Sequence, residues 1–263
     1  AAGVIRHVDD ETFAEDPLRV LRAAQFAARF GFRVAPETVA LCAGLSLKQL
    51  AWERIGLELQ KALLKAERPS VFFEVLREMD QLDDWFPEVK ALIGVEQSPK
   101  HHAEGDVWNH TMLVLDEAAK LRHKAENPFG FMLAALTHDF GKAVCSEEVN
   151  GVIHAYGHEK ESLPLAERFL KRFTKETKLI SYVLNLTEYH MKPNVAAGAR
   201  SAVKVTNKMF DCSVDPVALV CLALADDRGR ITLEEAVSHE VFLWERLERY
   251  REIMSRPGVT GKD

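Results

Sequence analysis

Four ionisable side chains lie at helical spacing from apolar residues: His110, His138, His190 and Asp226. His138, for example, follows an alanine by four residues and a phenylalanine by seven, so a helix would turn it toward its buried side. A carboxylate in such a place is destabilising unless it is paired or binds a metal. A hydrogen-bonded core histidine accounts for any one of these positions, but their convergence from separate helices calls for a shared cause. Imidazole and carboxylate together suit zinc or another transition metal.

A short motif surrounds the second of these positions. Residues 138–142 read HDFGK, and Asp226 lies in the run ADDRGR. His110, the pair His138-Asp139 and Asp226 resemble the signature of the HD phosphohydrolase superfamily, in which the order is His, His-Asp and Asp. HDFGK is similar to the HDxGK core of that superfamily. ADDRGR resembles its A-D-x-R-G-R run, which favours Asp226 over the aspartate that follows it.

This resemblance implies a helical bundle over roughly residues 100–230, with a site for divalent metal ions among facing helices. His158 and His190 look like the additional ligands of members that hold two ions, with Asp139 between the ions. The predicted metal ligands are His110, His138, Asp139, His158, His190 and Asp226. One or two ions are expected, and the metal stays open among Mn, Fe, Co, Ni, Zn and Mg. Met191 stands where some relatives have an acidic residue, so the hydrolytic activity of that subgroup does not follow from the resemblance.

The predicted catalytic residues are Asp139 and Lys142. Lys142 follows the His-Asp pair by three residues and is expected to contact a phosphate oxygen as a point charge; a solvated lysine at a helix end is the alternative. Arg228 and Arg230 either bind phosphate or pair with carboxylates. His154 is either a general acid or substrate contact, or a surface histidine.

The loop before His110 reads HHAEGD over residues 101–106. It resembles the loop that precedes the first ligand in the HD superfamily, so we expect it to form a rim that touches substrate. Adjacent histidines on a loop, without spaced partners, are weak evidence for metal binding, and no second metal site is predicted there.

Helices must position these side chains, because helical periodicity runs through nearly the whole chain. The predicted fold class is all-α. Predicted helices cover residues 18–30, 36–45, 51–64, 70–79, 109–121, 129–140, 158–173, 175–190, 199–209, 215–225 and 233–254. The first is bounded by Asp16-Pro17 and Gly31, residues typical of helix starts and ends. One hairpin is predicted over residues 144–154, with an Asn-Gly turn.

Length and charge limit the class of protein. The chain has 263 residues, 34 of them basic and 40 acidic, for a net charge of −6. This length predicts about two domains, which we place at residues 1–93 and 94–263 because nine of the ten histidines follow residue 100. The acidic balance excludes a generally basic nucleic-acid coat but not a local basic stripe. No apolar run approaches the roughly 20 residues of a membrane span, and four cysteines without CxxC spacing favour a cytoplasmic protein with reduced thiols.

The front of the chain resembles a second family. Residues 16–32 read DPLRVLRAAQFAARFGF and are similar to a helix in bacterial tRNA nucleotidyltransferases, the CCA-adding and poly(A) polymerase family. Residues 53–55 (ERI) and 86–88 (FPE) fit the neck and body that follow this helix. Many members carry an HD domain behind that neck. The resemblance therefore implies a helical neck and body followed by an HD domain, and a role in tRNA processing.

One departure from that family bears on activity. Its members polymerise in an N-terminal head with a Gly-rich turn and paired carboxylates, but neither a G-G-x-V-R-D nor a D-x-D run occurs here. Paired carboxylates orient two ions for nucleotidyl transfer, so this chain alone is not expected to add nucleotides. It begins with Ala-Ala-Gly-Val rather than Met, without a charged region followed by an apolar stretch, and we expect a missing N-terminal head. Arg19, Arg22 and Arg29, with Phe26 between them, line the helical face that would meet such a head.

A second basic row predicts contact with RNA. Arg200, Lys204 and Lys208 recur every four residues, and such a row on one helix follows a phosphate backbone. A solvated helix face is the alternative.

Two functions fit these patterns. The first is a metal-dependent phosphohydrolase acting on nucleotides or RNA ends, for example on 2′,3′-cyclic phosphates or 2′-phosphates. The alternative is a tRNA-binding and positioning module of a CCA-adding enzyme or poly(A) polymerase, with no hydrolytic activity of its own.

Overall fold

The computed structural model describes residues 3–232 and 238–256, and within them the all-α prediction is confirmed. The front part contains β1 Val4–Ile5, α1 Asp10–Ala14, α2 Leu18–Phe30, β2 Arg33–Val34, α3 Pro36–Ala43, α4 Trp52–Lys65, α5 Ser70–Glu78 and α6 Pro87–Lys90. The back part begins with α7 Val107–Leu121, a 3-10 turn Arg122–Lys124, α8 Pro128–Thr137, α9 Lys142–Cys145, β3 Glu147–Val149 and β4 Val152–His154. It continues with α10 His158–Phe173, α11 Thr177–Tyr189, α12 Lys192–Gly198, α13 Val203–Cys212, α14 Pro216–Gly229 and α15 Glu240–Met254.

The front helix α2 has the bounds that its flanking residues predict. The carboxylate of Asp16 accepts a hydrogen bond from the Leu18 N–H at 3.3 Å. The helix ends at Gly31, whose φ of 65° lies in the left-handed region that favours glycine. Its apolar side packs against α4 and α5, and this packing builds the front of the core.

Replacing Arg22 and Phe26 together with alanine should lower the free energy of unfolding by less than about 1 kcal/mol, because both side chains lie at the surface. The Arg22 side chain is 48% exposed and 3.8 Å from Glu58, and Phe26 is 40% exposed beside Phe30. Chemical denaturation measures the change. Leu21→Ala on the same helix is the control, since Leu21 is fully buried and its truncation should cost about 2–5 kcal/mol. A loss of several kcal/mol in the double variant would show that this face is packed within the chain.

The hydrophobic core continues from the front part into the back part. Helix α4 packs against α8 and α10. Glu88, with a side chain 2% exposed, pairs with Arg168 and Arg172 of α10 at 2.9 Å. The front part therefore supports the helices that carry the site, and the domain boundary at residue 94 stays a prediction.

Helices α7 and α14 lie against each other at a glycine. Asp106 and Asp215 start these helices, each accepting a hydrogen bond from a backbone N–H three residues later at 2.9 Å. A Cβ on Gly229 would stand 2.6 Å from the Val114 side chain and 2.9 Å from its backbone nitrogen. Only glycine permits this approach, which brings His110 of α7 to Asp226 of α14.

Helix α8 is apolar on all sides because it is buried over nearly its whole length. The pair His138-Asp139 follows it, and the chain then turns tightly against α10. A Cβ on Gly141 would stand 2.2 Å from the carbonyl oxygen of His158. The Ser162 hydroxyl fixes this turn, since it accepts a hydrogen bond from Gly141 N–H at 2.8 Å and donates one to the His138 carbonyl at 2.9 Å.

The predicted hairpin is confirmed as β3 and β4, which pair antiparallel. Asn150 and Gly151 form its turn with φ of 53° and 77°, the two positive values that favour Asn-Gly in such turns. The parallel pair β1–β2 was not predicted, because strands of two residues each are too short to show an alternating pattern.

The helix predicted at residues 199–209 is wrong in its first turn. Helix α12 ends before it, and Arg200 adopts a φ of 48°. The N–H of Ser201 donates to the Ala196 carbonyl at 2.9 Å and that of Arg200 to Ala197 at 3.0 Å. These bonds form a Schellman motif, whose left-handed position is usually a glycine. Here that position is Arg200, so the sequence carried no glycine to mark the end of the helix.

The last helix is partly described. Residues 233–237 of the predicted helix 233–254 lie outside the described residues, and α15 covers Glu240–Met254. Of the helices in residues 3–232 and 238–256, none combines the length and apolar character required to cross a membrane.

Candidate metal centre

Six buried side chains converge where the ends of five helices meet. In chain order they are His110, His138, Asp139, His158, His190 and Asp226. Each is at most 6% exposed. The structure thus brings together all the residues for which the sequence predicts metal binding.

Three of these side chains form one group. Candidate ligand atoms of His110, His138 and Asp226 all lie within 4.8 Å of one another. Asp226 Oδ1 is 2.8 Å from His110 Nε2 and 3.8 Å from His138 Nε2. Two imidazoles from α7 and α8 therefore face one carboxylate from α14.

The other three side chains form an adjoining group. Asp139 Oδ1 is 3.2 Å from His158 Nε2 and 3.8 Å from His190 Nε2, and the two imidazole nitrogens are 3.3 Å apart. The second oxygen of Asp139, Oδ2, is 3.3 Å from His138 Nε2 and 3.7 Å from His110 Nε2. Asp139 is thus shared by the two groups, with one oxygen toward each.

Backbone carbonyls fix the orientation of three of the four imidazoles. His138, His158 and His190 each donate their Nδ1–H to the carbonyl of the residue three positions earlier, at 2.6–2.9 Å. Because a carbonyl only accepts, Nδ1 carries the proton in the neutral ring and the Nε2 lone pair is free. In all three rings that lone pair faces the cluster.

The residues fit a divalent ion. Nε2 of His138 has no hydrogen-bond partner within the part of the chain that the structure describes, although it is buried. A buried acceptor without a donor is destabilising, and a cation within the cluster would satisfy it. Neutral Nε2 atoms and carboxylate oxygens are donors that zinc and related divalent ions accept.

The electrostatics keep both carboxylates and His190 in the form that binds metal. Burial raises the pKa of Asp226, but the hydrogen bond from His110 and the charge of Arg230 outweigh it and hold the pKa well below its usual range. Burial also raises the pKa of Asp139, and the positive groups beside it hold that pKa well below its usual range. Burial lowers the pKa of His190 to about 3, so this imidazole is neutral near pH 7.

Glu104 is a functional candidate that sequence reasoning missed. Its side chain is 1% exposed, and its Oε1 accepts from His102 Nδ1 at 2.7 Å and from His110 Nδ1 at 3.0 Å. Its Oε2 accepts from the Ile231 N–H at 2.9 Å. Burial raises the pKa of Glu104, but these hydrogen bonds outweigh it and lower the pKa to about 2. Glu104 therefore accepts the Nδ1 hydrogen bond of His110, as a backbone carbonyl does for each of the other three imidazoles. In the sequence, the one sign of this role was a carboxylate in the loop before α7.

Two cations lie at the carboxylates. Lys142 Nζ is 2.7 Å from Asp139 Oδ2 and donates a hydrogen bond to the Gln97 side chain at 2.9 Å. Arg230 Nη2 is 3.3 Å from Asp226 Oδ2. Arg230 Nε is buried and has no partner among residues 3–232 and 238–256, so its guanidinium keeps one donor available.

A cavity of about 300 Å³ opens over the cluster. Segments 96–98, 101–102 and 153–156 line it, together with both cations and His158. His154 is in this lining. Arg228 is not, and its guanidinium pairs with Glu240 at 2.9 Å, in line with the carboxylate-pairing alternative.

The predicted RNA-binding row does not lie on one helix. Lys204 and Lys208 are exposed on α13, whereas Arg200 lies in the turn before it. The four-residue spacing therefore does not align Arg200 with the two lysines. The prediction that all three residues line one helical face is wrong.

Comparison with known proteins identifies relatives of this chain. The HD domain family matches residues 107–231. The multifunctional CCA protein of Actinobacillus pleuropneumoniae serotype 5b (strain L20) is 40% identical over 243 residues, which cover 88% of this chain and 58% of that protein. The multifunctional CCA protein of Pasteurella multocida (strain Pm70) is 38% identical over 256 residues, which cover 92% of this chain and 60% of that protein. The chain thus spans about three fifths of the length of these curated relatives.

Solved structures share the fold. A CCA-adding enzyme in complex with CTP matches 98% of this chain and 53% of its own, with a TM-score of 0.62 and 16% identity. The Thermotoga maritima CCA-adding enzyme complexed with tRNA_CCA matches 98% of this chain and 56% of its own, with a TM-score of 0.59 and 17% identity. Helix order, site and sequence point the same way: residues 107–231 match the HD domain family, and the chain is homologous to the multifunctional CCA proteins.

Proposed function

We propose that this chain is a divalent-metal-dependent phosphohydrolase that acts on nucleotides or RNA 3′ ends. The observation that carries the proposal is Asp139, which places one oxygen in each of two imidazole groups. A carboxylate shared in this way suits two adjacent ions. The HD domain match over residues 107–231 supports the same class of chemistry.

The six buried side chains would hold the ions. His110, His138 and Asp226 would hold one, His158 and His190 the other, and Asp139 would contact both. Ions in these places supply a Lewis acid for a phosphoryl oxygen and lower the pKa of the water that attacks it. The donor set of imidazole and carboxylate is compatible with Mn, Fe, Co, Ni or Zn.

The chain's own cations would orient the phosphate. Lys142 and Arg230 lie in the cavity lining and carry the positive charge that an ester phosphate requires. The Nε–H of Arg230, which has no partner within the described residues, and its planar fork suit a phosphate oxygen. His154, in the same lining, would contact the substrate.

Elemental analysis of protein purified without chelators, together with hydrolysis of nucleoside 2′,3′-cyclic phosphates and 2′-phosphates, tests the proposal. We expect one to two equivalents of a divalent metal and metal-dependent release of product. Protein that takes up no divalent ion, or that hydrolyses neither class of ester when loaded, would contradict it.

A second candidate function is the positioning of tRNA. It is supported by homology to multifunctional CCA proteins over 243 residues and by the fold shared with an enzyme complexed with tRNA. The two functions are compatible in a longer protein. Tight tRNA binding by a chain that takes up no metal would favour positioning alone.

The chain alone should not extend the 3′ end of a tRNA with CTP or ATP. The paired carboxylates and Gly-rich turn of the family's polymerising head have no counterpart in its sequence, and nucleotidyl transfer needs carboxylates that orient two ions. Primer extension with radiolabelled nucleotide measures this, with the Pasteurella multocida protein as the positive control. Addition of C or A by this chain alone would be the contrary result.

A further inference from the structure

An exposed aromatic ring stands at the cavity over the metal centre. Tyr156 lines that cavity and is 76% exposed. A tyrosine in this position leaves most of its apolar ring in water, which is unfavourable unless a partner covers it. The proposed hydrolytic reaction, as described above, gives this residue no role.

Tyr156 is already stacked on one side. Its ring lies nearly parallel to that of His154, with an interplanar angle of 11° and centroids 4.9 Å apart. His154 ends β4, so one ring of the pair is held by the hairpin. Because Tyr156 is 76% exposed, the stacked pair leaves a flat aromatic face open at the cavity.

The backbone ties this surface to the cluster. The Ala155 carbonyl accepts hydrogen bonds from the His158 N–H at 3.3 Å and from His158 Nδ1 at 2.9 Å. Tyr156 precedes His158 by two positions, so their Cα atoms are at most ~7 Å apart. A ligand with its phosphate at the cluster would therefore have its next group beside the Tyr156 ring.

We infer that Tyr156 and His154 form a stacking platform for the base of the nucleotide whose phosphate enters the cavity, an inference that rests on the proposed function. A phosphate site with Lys142 and Arg230 beside a flat aromatic surface matches a nucleotide, which joins an anion to a planar heterocycle. A cavity of about 300 Å³ is at the small end for ligand sites and leaves the base at its mouth. Stacking accepts any base because every base has a π-face, so the platform selects nucleotides without selecting a sequence.

The test compares ligands with and without a base. Isothermal titration measures binding of the isosteric phosphonates of AMP and of ribose 5-phosphate to metal-loaded wild type, Tyr156→Ala and Tyr156→Phe. Hydrolysis of adenosine 2′,3′-cyclic phosphate and of 1-O-methylribose 2,3-cyclic phosphate gives kcat/KM for the same proteins. We expect Tyr156→Ala to lower the affinity and kcat/KM for the ligands that carry adenine by about 5- to 100-fold, the scale of losing one base–aromatic stack. It should leave the base-free ligands within about twofold, and Tyr156→Phe should behave as wild type.

Two results would overturn the platform. The first is an equal loss of affinity for ligands with and without adenine in Tyr156→Ala, which would assign Tyr156 a structural role. The second is unchanged adenine-ligand binding in Tyr156→Ala. If wild type hydrolyses neither cyclic phosphate, the proposed function fails, and the titration still decides whether Tyr156 contacts the base. Thermal melting of each variant checks that it is folded.

Discussion

Replacing Asp139 with alanine is expected to empty the metal centre and to reduce hydrolysis by about 1,000-fold or more, the scale on which loss of one essential catalytic group acts. Asp139 is the only carboxylate among the described residues that lies within 4 Å of His138, His158 and His190. Its removal leaves one carboxylate, Asp226, to balance any bound charge. His138→Ala should have a similar effect, because it removes a buried Nε2 atom that has no hydrogen-bond partner in the described part of the chain.

Metal content by elemental analysis and kcat/KM on a nucleoside 2′,3′-cyclic phosphate measure this loss. His123→Ala is the matched control, since His123 is exposed in the turn after α7 and should retain both metal and activity. Unchanged metal stoichiometry in both Asp139→Ala and His138→Ala would show that the cluster does not hold the metal.

Glu104→Gln is expected to weaken metal binding by about 10- to 100-fold, as loss of a supporting hydrogen bond to a ligand imidazole does in metal sites. The substitution keeps the size of the side chain but removes its charge. Glu104 accepts from His110 Nδ1, which leaves His110 Nε2 facing Asp226 at 2.8 Å. A neutral amide supports that proton less strongly and can also turn its NH2 group toward the ring.

Competition with a chelator of known affinity measures the change. Glu96→Gln is the control, because Glu96 is an exposed glutamate that lines the same cavity. The substitution removes the same charge without affecting a hydrogen bond to His110. Equal metal affinity in Glu104→Gln and wild type would show that Glu104 does not act through His110. A thermal melt separates a weakened site from a weakened fold, since Glu104 also binds the backbone of Ile231.

Much of the candidate site was readable because its members obey helical periodicity. His138 and Asp226 follow apolar residues at spacings of one turn or two, and His110 precedes apolar residues by one turn. An ionisable side chain on a buried helix face is destabilising without a partner. The bounds of α2 followed from its flanking residues, with Gly31 at the end. Periodicity combined with a short motif therefore gave both the elements and the side chains that they carry.

Other features of the site and fold lie outside regular helices, so helical periodicity could not predict them. Glu104 lies in a loop, and its contact with Ile231 joins residues 127 positions apart. Arg200 ends a helix in a conformation that glycine usually signals, so the sequence predicted that the helix continued. The stacking of Tyr156 on His154 depends on how the chain leaves β4, and no spacing rule describes that path.

The hydrogen bond between His110 and Asp226 has a consequence for how the protein is made. The two residues are 116 positions apart, so the cluster closes a long loop, and such contacts form late because the chain entropy must be lost first. A nascent chain therefore has only part of the cluster until residue 226 has left the ribosome. A ligand that binds only the completed cluster then stabilises the finished fold and not its precursors.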